Sequence, residues 1–176
     1  MLTGVFLDRD GVINRKAPEG EYVTSWVEFQ FLPGALDGLS LLARAAVPIV
    51  VVTNQRGIGR GHMTETDLAD IHSRMIAAIA AAGGRVDAIY HCPHAGGCRC
   101  RKPRSGMFKD AAADLGLRLE QTAVIGDQVS DMEAAGSIGA LKILVGDSSS
   151  QAQADHIASD LLAAARWLLT GPAAES

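Results

Sequence analysis

No stretch of this chain approaches the roughly 18 uninterrupted apolar residues of a membrane-spanning helix. Its opening residues run straight into a short strand-like segment without the layout of a signal peptide. The expected compartment is therefore the cytoplasm, with no membrane partner. Basic residues are too few for a field that gathers nucleic acid: 16 against 20 acidic residues give a formal charge of −4, and no basic stripe stands out. Repeats, charge blocks and long low-complexity linkers are also absent, so the chain reads as one unit. Cysteine is scarce, and all three, Cys92, Cys98 and Cys100, lie within nine residues of each other. That clustering resembles a metal site rather than a disulfide framework. The 176 residues, 48% of them hydrophobic, suit one domain spanning 1–176 with the cysteine loop 92–100 inserted in it.

Short runs rich in Val and Ile at Gly4–Leu7, Pro48–Val52, Val86–Tyr90, Thr122–Ile125 and Leu141–Val145 have the length of buried strands. Helical patterns lie between them. The clearest starts at Thr64, a capping residue with Asp67 three positions on; Leu68, Ile71, Met75, Ile79 and Ala82 form an apolar stripe that Gly83 and Gly84 end. Further helices are expected over Ala35–Ala46, Gly106–Leu115, Val129–Ala135 and Asp155–Leu169. The alternation implies an α/β fold, a Rossmann-like parallel sheet with helices on both faces. Ligands of such sheets gather outside the carboxyl ends of the strands, so the residues there carry the most weight. The Ser148–Ser150 run and Pro172–Ser176 read as a loop and a tail.

After the first strand stand Asp8 and Asp10, two carboxylates at i and i+2 on a nearly extended chain, whose repulsion a divalent cation can relieve. A solvated Asp-Gly turn is the bland alternative. The second strand ends in Thr53-Asn54-Gln55-Arg56-Gly57-Ile58-Gly59-Arg60-Gly61, polar and glycine-rich enough for backbone N–H groups to approach an anion. Arg101-Lys102-Pro103 follows the third strand, and Gly126-Asp127-Gln128-Val129-Ser130-Asp131 the fourth. Asp pair, Thr, Lys and Asp at successive strand ends form the set that metal-dependent phosphoryl transfer needs.

Asp8-x-Asp10-Gly11, Thr53-Asn54, Lys102-Pro103 and Gly126-Asp127-x-x-x-Asp131 resemble the four motifs of the haloacid dehalogenase superfamily of phosphatases. The resemblance implies Asp8 as the nucleophile that takes the phosphoryl group, Asp10 as acid and then base, Thr53 as a hydrogen-bond donor to phosphoryl oxygens and Lys102 as the neutralising cation. It also implies Mg²⁺ held by Asp8, the backbone carbonyl of Asp10 and Asp127, with Asp131 in support.

Cys92-Pro93-His94-Ala95-Gly96-Gly97-Cys98-Arg99-Cys100 offers three thiolates and an imidazole, the donor set of a closed, structural Zn²⁺ site. His94 is the preferred fourth ligand and His91 the substitute. With Leu7–Asn14 and Thr53–Gly61, this segment resembles the D-glycero-D-manno-heptose 1,7-bisphosphate 7-phosphatases and their relatives, the histidinol-phosphate phosphatases. Members of both groups are small capless enzymes whose loops shape the pocket.

By that resemblance, substrate would be touched by Arg9, Glu19, Gly20, Glu21, Tyr22, Asn54, Gln55, Arg56, Arg101 and Gln128, with Arg101 recognising the sugar or its second phosphate. The implied partner is a small phosphorylated sugar on the way to nucleotide-activated heptose for surface polysaccharide, acted on by a monomer. The guanidinium-rich loops favour a bisphosphate over histidinol phosphate; the short span between His94 and Cys98 argues the other way. Gln128 stands where some relatives carry lysine. A nucleic-acid 3′-end phosphatase is disfavoured by the acidic balance, and a non-catalytic phosphosugar-binding zinc scaffold by the full motif set. His62, His72 and His156 read as surface or packing residues, and Trp26, Phe29 and Phe31 as a miniature core in the first loop.

Overall fold

The computed structural model describes residues 1–146 and 153–171; the Ser148–Ser150 and Pro172–Ser176 segments lie outside the described residues. Among the described residues, six parallel strands form one sheet in the order β3-β2-β1-β4-β5-β6. They are β1 (Gly4–Leu7), β2 (Ile49–Asn54), β3 (Ala88–Cys92), β4 (Thr122–Gly126), β5 (Leu141–Val145) and β6 (His156–Ala158). The helices are α1 (Ala35–Arg44), a single turn α2 (Arg56–Gly59), α3 (Glu65–Ala81), α4 (Gly106–Leu115), α5 (Val129–Ser137) and α6 (Leu161–Thr170).

Alternation along the strands divides the core in two, because successive side chains of a strand point to opposite faces. Val5, Leu7, Ile49, Val51 and Ile125 pack with residues of α1, α3 and α6. Phe6, Val50, Val52 and Val124 pack with residues of α4 and α5, Phe6 meeting Phe108 edge to face at 5.0 Å. Both layers are present, as the alternating pattern implies. In α3 the expected cap forms in both directions: Thr64 Oγ1 accepts from the Asp67 amide at 3.1 Å, and Asp67 Oδ2 accepts from the Thr64 amide at 2.7 Å. Trp26, Phe29 and Phe31 cluster as a small aromatic core, with Trp26 and Phe29 stacked at 4.9 Å.

Three expectations are corrected. The helix expected from Asp155 begins only at Leu161, behind the cap that Asp160 Oδ1 makes with the Ala163 amide at 2.8 Å. Residues 156–158 instead form β6, pairing Ile143 to His156 and Val145 to Ala158. A three-residue edge strand is too short to announce itself against a helical period. Strands β2 and β3 both reach two residues further than expected, to Asn54 and Cys92, because the two go on pairing there, Thr53 with His91 and Asn54 with Cys92. Arg85 donates to the Ala43 and Val47 carbonyls, and Asp87 accepts the Ile49 amide at 2.7 Å. The glycine-rich stretch after β2 closes into α2 instead of staying open.

Strand β1 pairs with β2 on one side and with β4 on the other, so the chain direction of the sheet order reverses between β1 and β4. The crevice above that reversal is where open α/β sheets bind ligands.

Candidate active site

Asp8 follows β1 and Asp127 follows β4, so the reversal brings them together; carboxylate oxygens of Asp8, Asp127 and Asp131 lie within 4.8 Å of one another. Lys102, 4% exposed, projects into this group. Its Nζ stands 3.0 Å from Asp8 Oδ1 and 2.7 Å from Asp131 Oδ1, and donates to the Val52 carbonyl at 2.8 Å. Asn54 aims it from below: Oδ1 accepts the Lys102 amide at 3.0 Å and Nδ2 donates to the Lys102 carbonyl at 3.2 Å. Asp131 is spent locally, its Oδ2 accepting the amides of Asp127 and Gln128 at 3.2 and 3.1 Å.

The two carboxylates of the Asp8-x-Asp10 pair do not share one cation site as the extended-chain picture implied. Beyond Asp8 the chain turns, the Arg9 carbonyl accepting amides of Val12, Ile13 and Asn14. Gly11 takes φ +94° there, where a Cβ would lie 2.2 Å from Asp127 Oδ2; only glycine fits. Asp10 is turned to other partners. Its Oδ1 accepts from Arg9 Nη2 and Asn14 Nδ2, both at 2.9 Å, and its Oδ2 from Gln55 Nε2 at 2.9 Å. Gln55 Nε2 also reaches Thr53 Oγ1 at 2.9 Å.

Charge is unbalanced around Asp8. Burial first, then the neighbouring carboxylates of Asp131, Asp127 and Asp10, push its pKa up to about 8 against the pull of Lys102. Lys102 moves upward too: burial opposes its charge, and Asp131 and Asp8 more than compensate. One ammonium thus serves more carboxylate than it can neutralise. Asp10 is held below the usual carboxylate range, burial being outweighed by the charge and hydrogen bond of Arg9 and by Asn14 and Gln55. Asp127 Oδ1 is buried with no partner, while its Oδ2 meets Lys16 and Gln128 Nε2. An orphaned carboxylate oxygen beside a carboxyl that burial disfavours as an anion fits a divalent cation. A cleft of about 850 Å³ opens next to it, lined by Gly11, Arg15, Lys16, Gln128 and Asp160 among others.

The cysteine loop forms the second cluster. Cys92 Sγ lies 3.4 Å from Cys98 Sγ and 3.0 Å from Cys100 Sγ, and His94 Nδ1 lies 3.2 Å from Cys100 Sγ. All four donors fall within 4.8 Å of one another, the spread of a tetrahedral set at Zn–S distances of about 2.3 Å. His91 is not part of it; its Nε2 faces Glu65 at 2.8 Å. The loop is clamped on α2, the Gly59 amide donating to the Pro93 carbonyl at 2.8 Å, where a Gly59 Cβ would come within 2.6 Å of that oxygen.

Three of the expected substrate contacts are corrected. Arg9 is 0% exposed and points inward, bonded to Asp10 and His72. Gln55, 4% exposed, and Asn54 have their amides committed to Asp10 with Thr53 and to Lys102. The resemblance that implies these contacts carries over positions in the chain, not the direction in which each side chain turns. Glu19, Gly20 and Glu21 are exposed and Tyr22 half-buried, with Tyr22 Oη accepting from Arg60 Nη1 at 3.0 Å. Arg56 and Arg101 are half-buried and Gln128 is exposed. Lys16, on Asp127, was missed; it has no motif around it. His72 sits four residues after Leu68, in phase with the apolar stripe.

A family model described as haloacid dehalogenase-like hydrolase matches residues 99–165. A Bordetella bronchiseptica protein named D-glycero-beta-D-manno-heptose-1,7-bisphosphate 7-phosphatase is 40% identical over 143 residues, 80% of this chain and 79% of its own. A Mycobacterium tuberculosis protein with the alpha-anomer name is 40% identical over 162 residues, 86% of this chain and 83% of its own. The chain belongs to this heptose bisphosphate phosphatase family. A crystal structure of the D,D-heptose 1,7-bisphosphate phosphatase from B. bronchiseptica, complexed with magnesium and phosphate, superposes with a TM-score of 0.86 at 36% identity, covering 95% of this chain and 98% of that one. A family member from Burkholderia thailandensis gives 0.71 at 32% identity, covering 95% and 98%. The parallel sheet is thus that of haloacid dehalogenase-type phosphatases.

Proposed function

We propose that this chain removes the 7-phosphate of D-glycero-D-manno-heptose 1,7-bisphosphate by way of an aspartyl phosphate on Asp8. The observation that carries the reading is the convergence of Asp8, Lys102, Asp127 and Asp131 at the sheet reversal, with Asp10 beside them. Asp8 Oδ attacks phosphorus while the bond from phosphorus to the sugar oxygen breaks; Asp10, ionised in the free protein, takes up a proton from solvent as the negative phosphate arrives beside it and gives that proton to the sugar oxygen. Water then attacks the same phosphorus, its proton returns to Asp10, and the Asp8 carboxylate leaves with inorganic phosphate released. Lys102 lowers the repulsion between carboxylate and phosphate, and the Thr53 hydroxyl donates to a phosphoryl oxygen. Mg²⁺ held by Asp8, the Asp10 carbonyl and Asp127 would supply the remaining positive charge; the orphaned Asp127 Oδ1 supports that assignment.

Glu19 to Tyr22, Arg56, Arg101 and Gln128 border the sugar and its second phosphate, Arg101 having a buried Nη1 with no partner. No helix among the described residues is long and apolar enough to cross a membrane. Cys92, His94, Cys98 and Cys100 would hold Zn²⁺, which would fix the loop that leads into Arg101 and Lys102.

Turnover measured side by side on both anomers of the heptose bisphosphate and on histidinol phosphate checks the substrate. kcat/KM on one heptose anomer is expected to exceed that on histidinol phosphate by about tenfold or more, the size of one added charge-assisted contact. Preference for histidinol phosphate would overturn the assignment. Metal analysis checks the loop: about one zinc per wild-type chain and a marked loss in Cys98→Ser are expected for a four-ligand site. Zinc near zero in the wild type would remove the proposal.

A further inference from the structure

Among the described residues, Arg9 and His72 are two buried polar groups in contact with each other that the two chemical steps leave without a task. Arg9 heads the fully buried side chains by volume, and a guanidinium removed from water needs partners for its donors. It has two. Nη2 donates to Asp10 Oδ1 at 2.9 Å, and Nη1 lies 3.2 Å from His72 Nε2; Nε is buried and unpartnered. The carbon at its centre stands 5.9 Å from the Phe29 ring centroid.

A guanidinium has donors only, so His72 Nε2 must accept, which places the imidazole proton on Nδ1. The surroundings agree: burial first, then the charges of Arg9 and His91, bring His72 down to about 3 against the pull of Asp10. His72 belongs to α3, a helix that otherwise faces the core through Leu68, Ile71, Met75 and Ile79. Asp10 Oδ1 already accepts two donors and Oδ2 one, from Gln55. The remaining lone pair of Oδ2 is therefore the one able to carry and deliver a proton.

We infer that His72 is a positioning residue of the phosphoryl-transfer reaction: from α3 it anchors the Arg9 guanidinium, which fixes the Asp10 carboxyl so that Oδ2 faces the leaving oxygen and the attacking water. The inference rests on the roles proposed above for Asp8 and Asp10. Without an acceptor at position 72 the guanidinium keeps a partner only on Nη2, and its rotation takes Asp10 Oδ1 with it.

His72→Leu removes the acceptor, and His72→Gln offers an amide oxygen in its place. On the heptose bisphosphate with Mg²⁺, His72→Leu is expected to lower kcat about tenfold or more with KM within about twofold, as misplacement of an acid does. His72→Gln recovers most of the rate. The first-turnover release of p-nitrophenol from p-nitrophenyl phosphate stays near the wild-type value in both, because that leaving group needs no proton. Wild-type kcat in His72→Leu, equal losses in the two variants, or an equal loss of the p-nitrophenol burst would each overturn the inference. Nitrogen-15 NMR of the wild-type imidazole reads the same claim without turnover: a neutral, Nδ1-protonated ring at neutral pH is expected, and an imidazolium or Nε2-protonated ring contradicts it. A wild type inactive on every phosphate ester would instead refute the proposed function, and the NMR result would still decide the contact.

Discussion

Asp8→Asn is expected to stop phosphate release, with a loss of about a thousandfold or more, while the fold and the zinc content stay as in the wild type. An amide oxygen cannot form the acyl phosphate, and no other carboxylate in the cluster can take its place. Asp131 is 1% exposed with both oxygens engaged, Asp10 is held by Arg9, Asn14 and Gln55, and Asp127, just after β4, has its Oδ2 on Lys16 and Gln128. Stability is not expected to fall with activity. In the metal-free chain, burial and the acids around Asp8 push it up to about 8, so a neutral amide of the same shape removes repulsion instead of an attraction. Phosphate release and thermal melting of metal-free and Mg²⁺-loaded protein check both halves. Release at the wild-type rate would take Asp8 out of the mechanism.

Lys102→Met is expected to damage both activity and stability. The Lys102 side chain is 3% exposed, and its ammonium touches Asp8, Asp131 and the Val52 carbonyl. Removing one partner from a buried charge cluster leaves the others uncompensated, at a cost of about 3–5 kcal/mol. Activity is expected to fall by about a hundredfold or more even where the variant is folded, since a fixed cation beside the nucleophile is lost. Denaturant unfolding with and without Mg²⁺, followed by kinetics under conditions where the variant is native, separates the two effects. Wild-type stability would mean that Asp131 finds another donor. Wild-type turnover would mean that Lys102 is not part of the phosphoryl site.

Much of this was legible because strand ends are where sequence and chemistry meet. β1, β5 and α4 lie where the hydrophobic runs and the glycine boundaries put them, and the order Asp8, Thr53, Lys102, Asp127 follows the strands. The cysteine cluster was legible from composition, since four donors within nine residues can hardly avoid each other. What stayed hidden depends on the direction of side chains at turns. Gly11 lets the chain fold back after Asp8, which turns Arg9 into the core and Asp10 toward Gln55; the Asp10-Gly11 pair signals a turn, but not which way the side chains around it face. His72 was readable in hindsight: a histidine in phase with an apolar stripe is buried, and a buried histidine needs a partner. The partner, Arg9, lies 63 positions away. Lys16 carried no signal beyond its charge, and β6 was too short to break the helical pattern that follows it.

The most direct test is to quench wild-type protein in acid during turnover of the heptose bisphosphate with Mg²⁺ and to map the phosphoryl group by mass spectrometry. A phosphoryl adduct on Asp8, absent from Asp8→Asn, is the expected result. An adduct on another side chain, or hydrolysis at full rate with no adduct trapped on any residue, would contradict the proposal that Asp8 carries the phosphoryl group.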